Sequence, residues 1–150
     1  MSGAVPAEEP ISGSYGDCQS TIPNGRSAPG QPAGPESQGG RGLWTVMPAD
    51  GILEASRPQH TWAELQPDGW IRAKFPWFGG RRAHDRLRIT AKRFGSSTAR
   101  IRTSINRGSS STTPHFWASY LFFPSTGCWR VSARSGAAHV SFVLSVVAVS

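Results

Sequence analysis

Apolar and polar residues alternate with a period of two along most of the chain after residue 42. Between residues 70 and 75, for example, Ile71 and Ala73 fall on one side while Arg72 and Lys74 fall on the other. Such alternation is typical of β-strands with one buried face. The segments with a strand pattern are 43–47, 70–75, 87–92, 100–105, 116–123, 128–134 and 140–149. The last three are rich in aromatic and β-branched residues on both sides, as expected of central strands.

Clusters of Gly, Ser and Pro separate these segments, for example Gly79-Gly80 and Pro124-Ser125-Thr126-Gly127. Their spacing of about 8 to 15 residues is typical of an antiparallel sandwich and not of alternating strands and helices. Only residues 55–65 are compatible with a helical turn, and Pro58 makes a long helix there unfavourable. The sequence therefore predicts an all-β antiparallel sandwich of about seven strands.

The first 42 residues have a different composition. They contain fifteen Gly or Pro residues, few branched apolar side chains and no periodicity, so burial cannot offset the entropy of ordering them. We therefore predict a flexible Gly/Pro-rich arm at 1–42 and one sandwich domain at 43–150. The beginning of the chain lacks the basic and apolar regions of a secretion signal, which favours either a cytoplasmic location or a start further upstream.

Positive charge is concentrated in the middle of the chain. The formal net charge is +7, and eleven of the sixteen Lys and Arg residues lie between residues 72 and 107 with a single acid. Arginine can hold phosphate or carboxylate through two parallel hydrogen bonds. The candidate anion-binding residues are Arg72, Lys74, Arg86, Arg88, Lys92, Arg100 and Arg102. The simpler alternative is that these cations only solvate an outer face, because basic composition by itself supports no more than non-specific attraction.

Aromatic residues accompany this basic band. Trp70, Phe75, Trp77 and Phe78 lie beside Arg72, Lys74, Arg81 and Arg82 in the sequence. Cations and rings together on a sheet face suit nucleic acid, through phosphate pairing and base stacking. They equally suit an anionic envelope polymer or lipid head groups. The alternative is structural, with Trp77 and Phe78 closing one end of the sandwich.

The sequence contains no motif that carries catalysis or metal binding. The four histidines are scattered, and neither a cysteine pair nor a His-x-x-x-His spacing for metal is present. A Gly-x-Ser-x-Gly elbow and a phosphate-binding GxxxxGK[ST] loop are also absent. No apolar run approaches the roughly 18 residues of a membrane helix. We therefore predict a protein that is not an enzyme, with no cofactor, no metal and no membrane span.

A resemblance to a known family is carried by the C-terminal part of the chain. The stretch FFPSTGCWRVSARSG at 122–136, followed by HVSFVLSV, resembles the F-P-T-x-G-C-W-E-V-T-G-R-x-G signature of a family of uncharacterised exported bacterial proteins. Weaker similarities lie at CQSTIPNGRSAPG (18–30), GLWT (42–45), WIRAKFPW (70–77) and LRITAKRF (87–94). This chain departs from the family pattern at residues 111–116 and at Arg130, which replaces a glutamate, so ligand contacts of those positions are not transferred.

The resemblance implies an exported or cell-surface location and an immunoglobulin-like fold. It thereby favours a disulfide between Cys18 and Cys128, since disulfides persist outside the cytoplasm, although two separate thiols remain the alternative. Gly127 and Trp129 are similar to the Gly-x-Tyr corner of immunoglobulin-like sandwiches, which gives Trp129 a structural role. The predicted core includes Phe123, Trp129, Val131, Phe142 and Leu144.

Two functions from different classes follow from these observations. The favoured one is a non-enzymatic extracytoplasmic binding or interaction module that attaches to anionic envelope polymer or lipid through a basic sheet face. The alternative is a cytoplasmic nucleic-acid-binding protein that uses the basic band at 72–107, although no groove-binding motif accompanies that band.

Overall fold

A computed structural model describes residues 12–15, 18–107 and 115–149 of the chain. Every regular element in these residues is a β-strand, which confirms the all-β prediction. The strands are β1 (Ser12–Tyr15), β2 (Cys18–Thr21), β3 (Ser37–Gly39), β4 (Leu43–Val46), β5 (Ile52–Ser56), β6 (Ala63–Leu65), β7 (Ile71–Gly79), β8 (Arg88–Arg93), β9 (Arg102–Arg107), β10 (His115–Phe123), β11 (Gly127–Ser135) and β12 (Ala138–Ala148). Residues 1–11 and 16–17 of the predicted arm, residues 108–114 and residue 150 lie outside the described residues.

Ten strands form one sheet that folds over into two layers. The first layer contains β3, β4, β7, β10 and β9, and the second contains β6, β5, β12, β11 and β8. The layers are joined because β7 pairs along one edge with β10, while its other edge is shared by β4 and β6. Within the described residues, β8 pairs only with β11 and β9 only with β10, so the sandwich remains open between β8 and β9.

The pairing differs in two respects from an antiparallel sandwich of about seven strands. More strands are present, and β5 runs parallel to both β12 and β6. A period of two identifies a strand but carries no information about its direction. The helical turn considered for 55–65 is wrong, because the end of β5 and the whole of β6 occupy that segment and align Ala55 with Ala63.

Aromatic rings join the two layers in the core. The Phe142 ring of β12 lies 6.0 Å from Phe75 and 6.3 Å from Trp77, both on β7. A second contact joins Phe123 to Trp129, whose ring centroids are 5.4 Å apart in an edge-on arrangement. All five predicted core residues are at most 2% exposed, which confirms that prediction. The side chains on the other side of each strand therefore face outward on opposite sides of the sandwich.

The segment before residue 43 contributes more structure than its composition predicts. The strand β3 joins the main sheet by pairing with β4, and β2 packs against β12 and β11. Asn24 fastens the intervening loop, because its Nδ2 donates to the Gly39 carbonyl at 2.8 Å and its Oδ1 accepts from the Gly39 N–H at 3.0 Å. The prediction of a flexible arm missed this part, because side chain to backbone hydrogen bonds produce no hydrophobic periodicity.

Candidate anion-binding surfaces

The seven predicted anion-binding residues do not form one surface. Arg88 and Lys92 lie on the outer side of β8, in the second layer. The residues Arg72, Lys74 and Arg102 lie on the outer side of the first layer. Arg86 and Arg100 are exposed in the loops before and after β8. Two neighbouring strands of the sequence, β8 and β9, therefore belong to opposite layers, and the basic band is divided between two outer faces.

The first surface, which we call the arginine face, is formed by the outer residues of β8, β11 and the beginning of β12. Its members are Arg88, Thr90, Lys92, Arg130, Ser132, Arg134, His139 and Ser141. The strand register sets Arg88 opposite Arg134 and Lys92 opposite Arg130. On the other edge of β11, Arg134 stands opposite His139. Hydroxyl groups fill the row between these cations, since Thr90 aligns with Ser132 and Ser132 with Ser141.

Carboxylates are absent from the outer positions of β8 and β11. The Arg72–Glu64 ion pair joins β7 to β6 and contains no residue of the arginine face. Like charges placed directly opposite on neighbouring strands are destabilising. The arginine face therefore holds cations at a local cost, and the register places hydroxyl groups between them that can donate to an anion.

The arginine face ends where β2 crosses the outer side of β12. Cys18 and Cys128 form a disulfide there, with a Cα–Cα distance of 5.3 Å. Val143 and Val147 also point outward, but they are only 2% and 8% exposed. The Thr21 hydroxyl accepts a hydrogen bond from the Val143 N–H at 2.8 Å. The disulfide thus keeps β2 over an apolar part of the second layer and leaves only the cationic part open.

The second surface, which we call the aromatic face, is the outer side of β4, β7, β10 and β9. Four rows of side chains cross it: Trp44, Phe78 and Phe116; Pro76, Ala118 and Asn106; Lys74, Tyr120 and Ser104; Arg72, Phe122 and Arg102. Only two of the four aromatic residues of the basic band lie on this face. Phe78 and Trp70 are half-buried on this side, whereas Phe75 and Trp77 point inward and are fully buried in the core.

Cations on the aromatic face are held by neighbouring side chains. The Arg72 guanidinium forms an ion pair with Glu64 at 2.8 Å and lies 4.9 Å from the centroid of the Tyr120 ring. The Arg102 guanidinium lies 4.1 Å from the Trp70 ring centroid. Guanidinium groups over aromatic rings are attracted by the negative ring face. Arg72 is therefore partly neutralised, whereas Arg102 keeps its full charge beside a ring.

The predicted corner is formed by Gly127 and Trp129 at the start of β11. Gly127 has φ +140°, a backbone conformation that residues with a Cβ rarely adopt, so glycine is favoured there. The Trp129 ring is fully buried, and its Nε1 donates to the Ser125 carbonyl at 3.2 Å. The Trp129 ring thus fills the end of the core, and its N–H has a hydrogen-bond acceptor. This arrangement gives the residue a structural role.

Sequence reasoning missed three members of the arginine face, namely Arg130, Arg134 and His139. Their signal was present, because each occupies an outward position in the alternating pattern of β11 or β12. The prediction considered only the segment where cations are dense in the sequence. These three residues lie more than twenty residues beyond that basic band.

Few other features in the described ranges indicate a ligand site or a membrane span. No three His, Cys, Asp or Glu side chains there come together in a way that could hold a metal ion. No helix there is long and apolar enough to cross a membrane. A shallow groove of about 350 Å³ beside β5 is lined by Asp50, Glu54 and Trp62 among others, so its charge is opposite to that of the arginine face.

Comparisons with protein-family models, with curated proteins and with solved structures find no match. Fold and surfaces together define the class of protein, an all-β sandwich with a Cys18–Cys128 disulfide and two outer faces of different chemistry.

Proposed function

We propose that this protein is a non-enzymatic, extracytoplasmic binding module that attaches to anionic surfaces through its arginine face. The observation that carries the proposal is the register of β8 and β11, which sets Arg88 opposite Arg134. Natural sheets normally avoid like charges at directly opposed positions. Local violations of such rules are expected at functional sites.

Phosphate and carboxylate groups fit this face chemically. An anion between Arg88 and Arg134 accepts hydrogen bonds from both guanidinium groups and relieves their mutual repulsion. The hydroxyl groups of Thr90 and Ser132, in the next row, provide further donors. Because the strands form a broad, open surface and not a cleft, the expected ligand is an extended array of anions, such as an envelope polymer or a lipid bilayer surface.

The proposed location depends on the disulfide and on the C-terminal motif. Disulfides persist in oxidising compartments and are rare in the cytosol, so the pairing of Cys18 with Cys128 favours the extracytoplasmic module over the cytoplasmic nucleic-acid-binding alternative. The resemblance of residues 122–136 to an exported bacterial family supports the same location. We assign the sandwich to the immunoglobulin-like class on the basis of that resemblance and the buried corner at Trp129.

Binding to lipid vesicles tests the proposal. Phosphatidylcholine vesicles with added phosphatidylglycerol should bind the protein, and pure phosphatidylcholine vesicles should not. Each cation near an anionic surface contributes about 1 kcal/mol, so the double variant R88Q/R134Q should lose about 2 kcal/mol, or about thirtyfold in affinity. The matched control is K74Q/R102Q, which removes the same charge from the opposite face and should retain affinity within about threefold.

Two outcomes would overturn the proposal. Equal losses in R88Q/R134Q and K74Q/R102Q would mean that net charge and not the arginine face determines binding. Absence of binding by the unaltered protein to anionic vesicles and to soluble polyphosphate would remove the anionic surface as ligand. Tighter binding to a single-stranded oligonucleotide than to vesicles would favour the nucleic-acid alternative.

A further inference from the structure

The aromatic face exposes several rings that the anion-binding role leaves unused. Phe116 and Tyr120 are 38% and 37% exposed, and Trp44, Phe78, Phe122 and Trp70 are half-buried around them. Single exposed apolar residues are ordinary on protein surfaces, whereas contiguous apolar patches mark interaction sites. Apart from Trp70, which immediately precedes β7, these rings belong to adjacent strands of one sheet, so their relative positions are fixed by backbone hydrogen bonds.

The rings form two groups separated by a row of short side chains. At one end, the Phe78 and Phe116 ring centroids are 5.4 Å apart, and Trp44 is in register with Phe78. At the other end, the Tyr120 and Phe122 centroids are 6.4 Å apart. Between them, Pro76 and Ala118 provide only short side chains. Phe116 and Tyr120 are four residues apart on one strand, or about 13 Å, so a ligand that touches both groups is an extended molecule.

Among the outer strand positions of this surface, Lys and Arg occur at only one end. Lys74 and Arg102 are exposed beside Tyr120 and Phe122, and neither forms an ion pair with a described residue. The row of Trp44, Phe78 and Phe116 has no Lys or Arg at its strand positions. Uncharged hydrogen-bonding groups lie along β9, where Ser104 and Asn106 are exposed. The ligand that matches this pattern has flat apolar surfaces, hydroxyl groups and a few negative charges.

We propose that the aromatic face binds an acidic polysaccharide, a chain of sugar rings of which some carry carboxylates. The C–H faces of sugar rings pack on the two groups of aromatic rings, and burial of these apolar surfaces stabilises the complex. Lys74 and Arg102 each bind a carboxylate, and Ser104 and Asn106 exchange hydrogen bonds with sugar hydroxyls. Single-stranded nucleic acid fits less well, because proteins that bind it need cations that follow the backbone beside every stacked base.

Calorimetric titration with oligogalacturonate tests this inference, with neutral dextran and a single-stranded oligothymidylate as comparison ligands. The double variant F116A/Y120A should bind oligogalacturonate at least about tenfold more weakly, because exposed aromatic anchors contribute most of the affinity in such sites. The conservative variant Y120F keeps the ring and should stay within about threefold. R102Q should weaken binding of oligogalacturonate while leaving the weaker binding of dextran unchanged.

The arginine-face variant R88Q/R134Q is the comparison: because the carboxylates of oligogalacturonate also suit the arginine face, it should weaken this binding less than F116A/Y120A does and should leave dextran binding unchanged. Its loss of vesicle binding is measured separately, so failure of one proposed surface does not imply failure of the other. A thermal melt of F116A/Y120A confirms that the variant folds. The inference is overturned if oligogalacturonate does not bind, if F116A/Y120A binds it normally, or if oligothymidylate binds more tightly at the same ionic strength.

Discussion

The two outer faces of this sandwich share one core and one alternating pattern, yet their cations have different neighbours. On the arginine face, Arg134 stands between Arg88 and His139, and the residues in the next row are hydroxylated. On the aromatic face, Arg102 stacks on Trp70 and Arg72 is paired with Glu64. Arg88 and Arg134 are held near each other at a cost, while Arg72 and Arg102 stabilise their own surroundings.

This contrast shows why a count of basic residues does not define a binding site. The sequence places Arg72 and Arg88 in the same basic band, but the fold gives only Arg88 a cationic neighbour across the strand pair. Whether a cation is available to a ligand depends on what stands opposite it in the sheet. The difference between the two faces can be tested by releasing β2 from the second layer, by altering the core beneath the aromatic face, or by removing single charges.

Loss of the disulfide should have the largest effect, because it frees β2 from the second layer. Closing a loop of about 100 residues stabilises a protein by about 4.7 kcal/mol in the chain-entropy model, and removal of native disulfides typically costs about 2–5 kcal/mol. C18S/C128S should therefore unfold at lower urea concentration, by an equivalent of about 2–5 kcal/mol. Release of β2 should also uncover Val143 and Val147 and increase the fluorescence of an apolar dye.

Reductant provides the control for this prediction. It should shift the unfolding curve of the unaltered protein toward that of C18S/C128S and should leave the variant itself unchanged. If the two proteins unfold at the same urea concentration under oxidising conditions, the disulfide does not hold β2 over the second layer in solution.

The core beneath the aromatic face contains a buried hydrogen-bond chain that should be the next most sensitive feature. The Trp77 Nε1 donates to the Ser119 hydroxyl at 2.8 Å, and that hydroxyl donates to the Phe75 carbonyl at 2.9 Å. S119A leaves the indole N–H unpaired in the core, which should cost about 1–3 kcal/mol in urea unfolding. In W77F the donor is already absent, so S119A should cost less in that background. Additive effects of the two substitutions would contradict this account.

Much of the fold could be predicted because its physical cause is local. Alternation in 70–75, 87–92 and 128–134 identifies strands whose inward residues, such as Ile71 and Val131, are buried in the structure. The pairing partners could not be predicted, since β8 and β9 follow each other in sequence but belong to different layers. The segment at 18–42 was also missed, because Asn24 and Gln38 order it through hydrogen bonds without an apolar pattern.

The candidate surfaces were predictable only in part, for a related reason. The outward direction of Arg88 and Arg102 follows from alternation, which depends on neighbouring residues alone. The opposition of Arg88 to Arg134 and the stacking of Arg102 on Trp70 depend on strand register over long separations. Phe75 and Trp77 illustrate the same limit, because their place in the core depends on contact with Phe142 in the other layer.

Salt should affect the two faces differently. Raising the ionic strength from about 0.1 M to about 1 M shortens the Debye length from about 10 Å to about 3 Å and screens exposed charges. Vesicle binding through the arginine face should then weaken at least about tenfold, because it depends on charge alone. Binding of oligogalacturonate should weaken less, since burial of aromatic rings does not diminish with salt. Equal salt dependence for both ligands, measured in parallel titrations, would remove the distinction between the faces.

The smallest effect is the most direct comparison, because one substitution made on each face should change stability in opposite directions. R134Q removes a charge opposite Arg88, which should stabilise the fold by a few tenths of a kcal/mol. R102Q removes a guanidinium 4.1 Å from the Trp70 ring centroid, which should destabilise the fold by about 0.5–1 kcal/mol. Both variants lose one positive charge, so a general effect of net charge would shift their urea midpoints in the same direction. Midpoints that move in opposite directions would show that a cation's neighbours across the sheet determine whether it stabilises the fold, whereas a common direction would contradict the difference between the two faces.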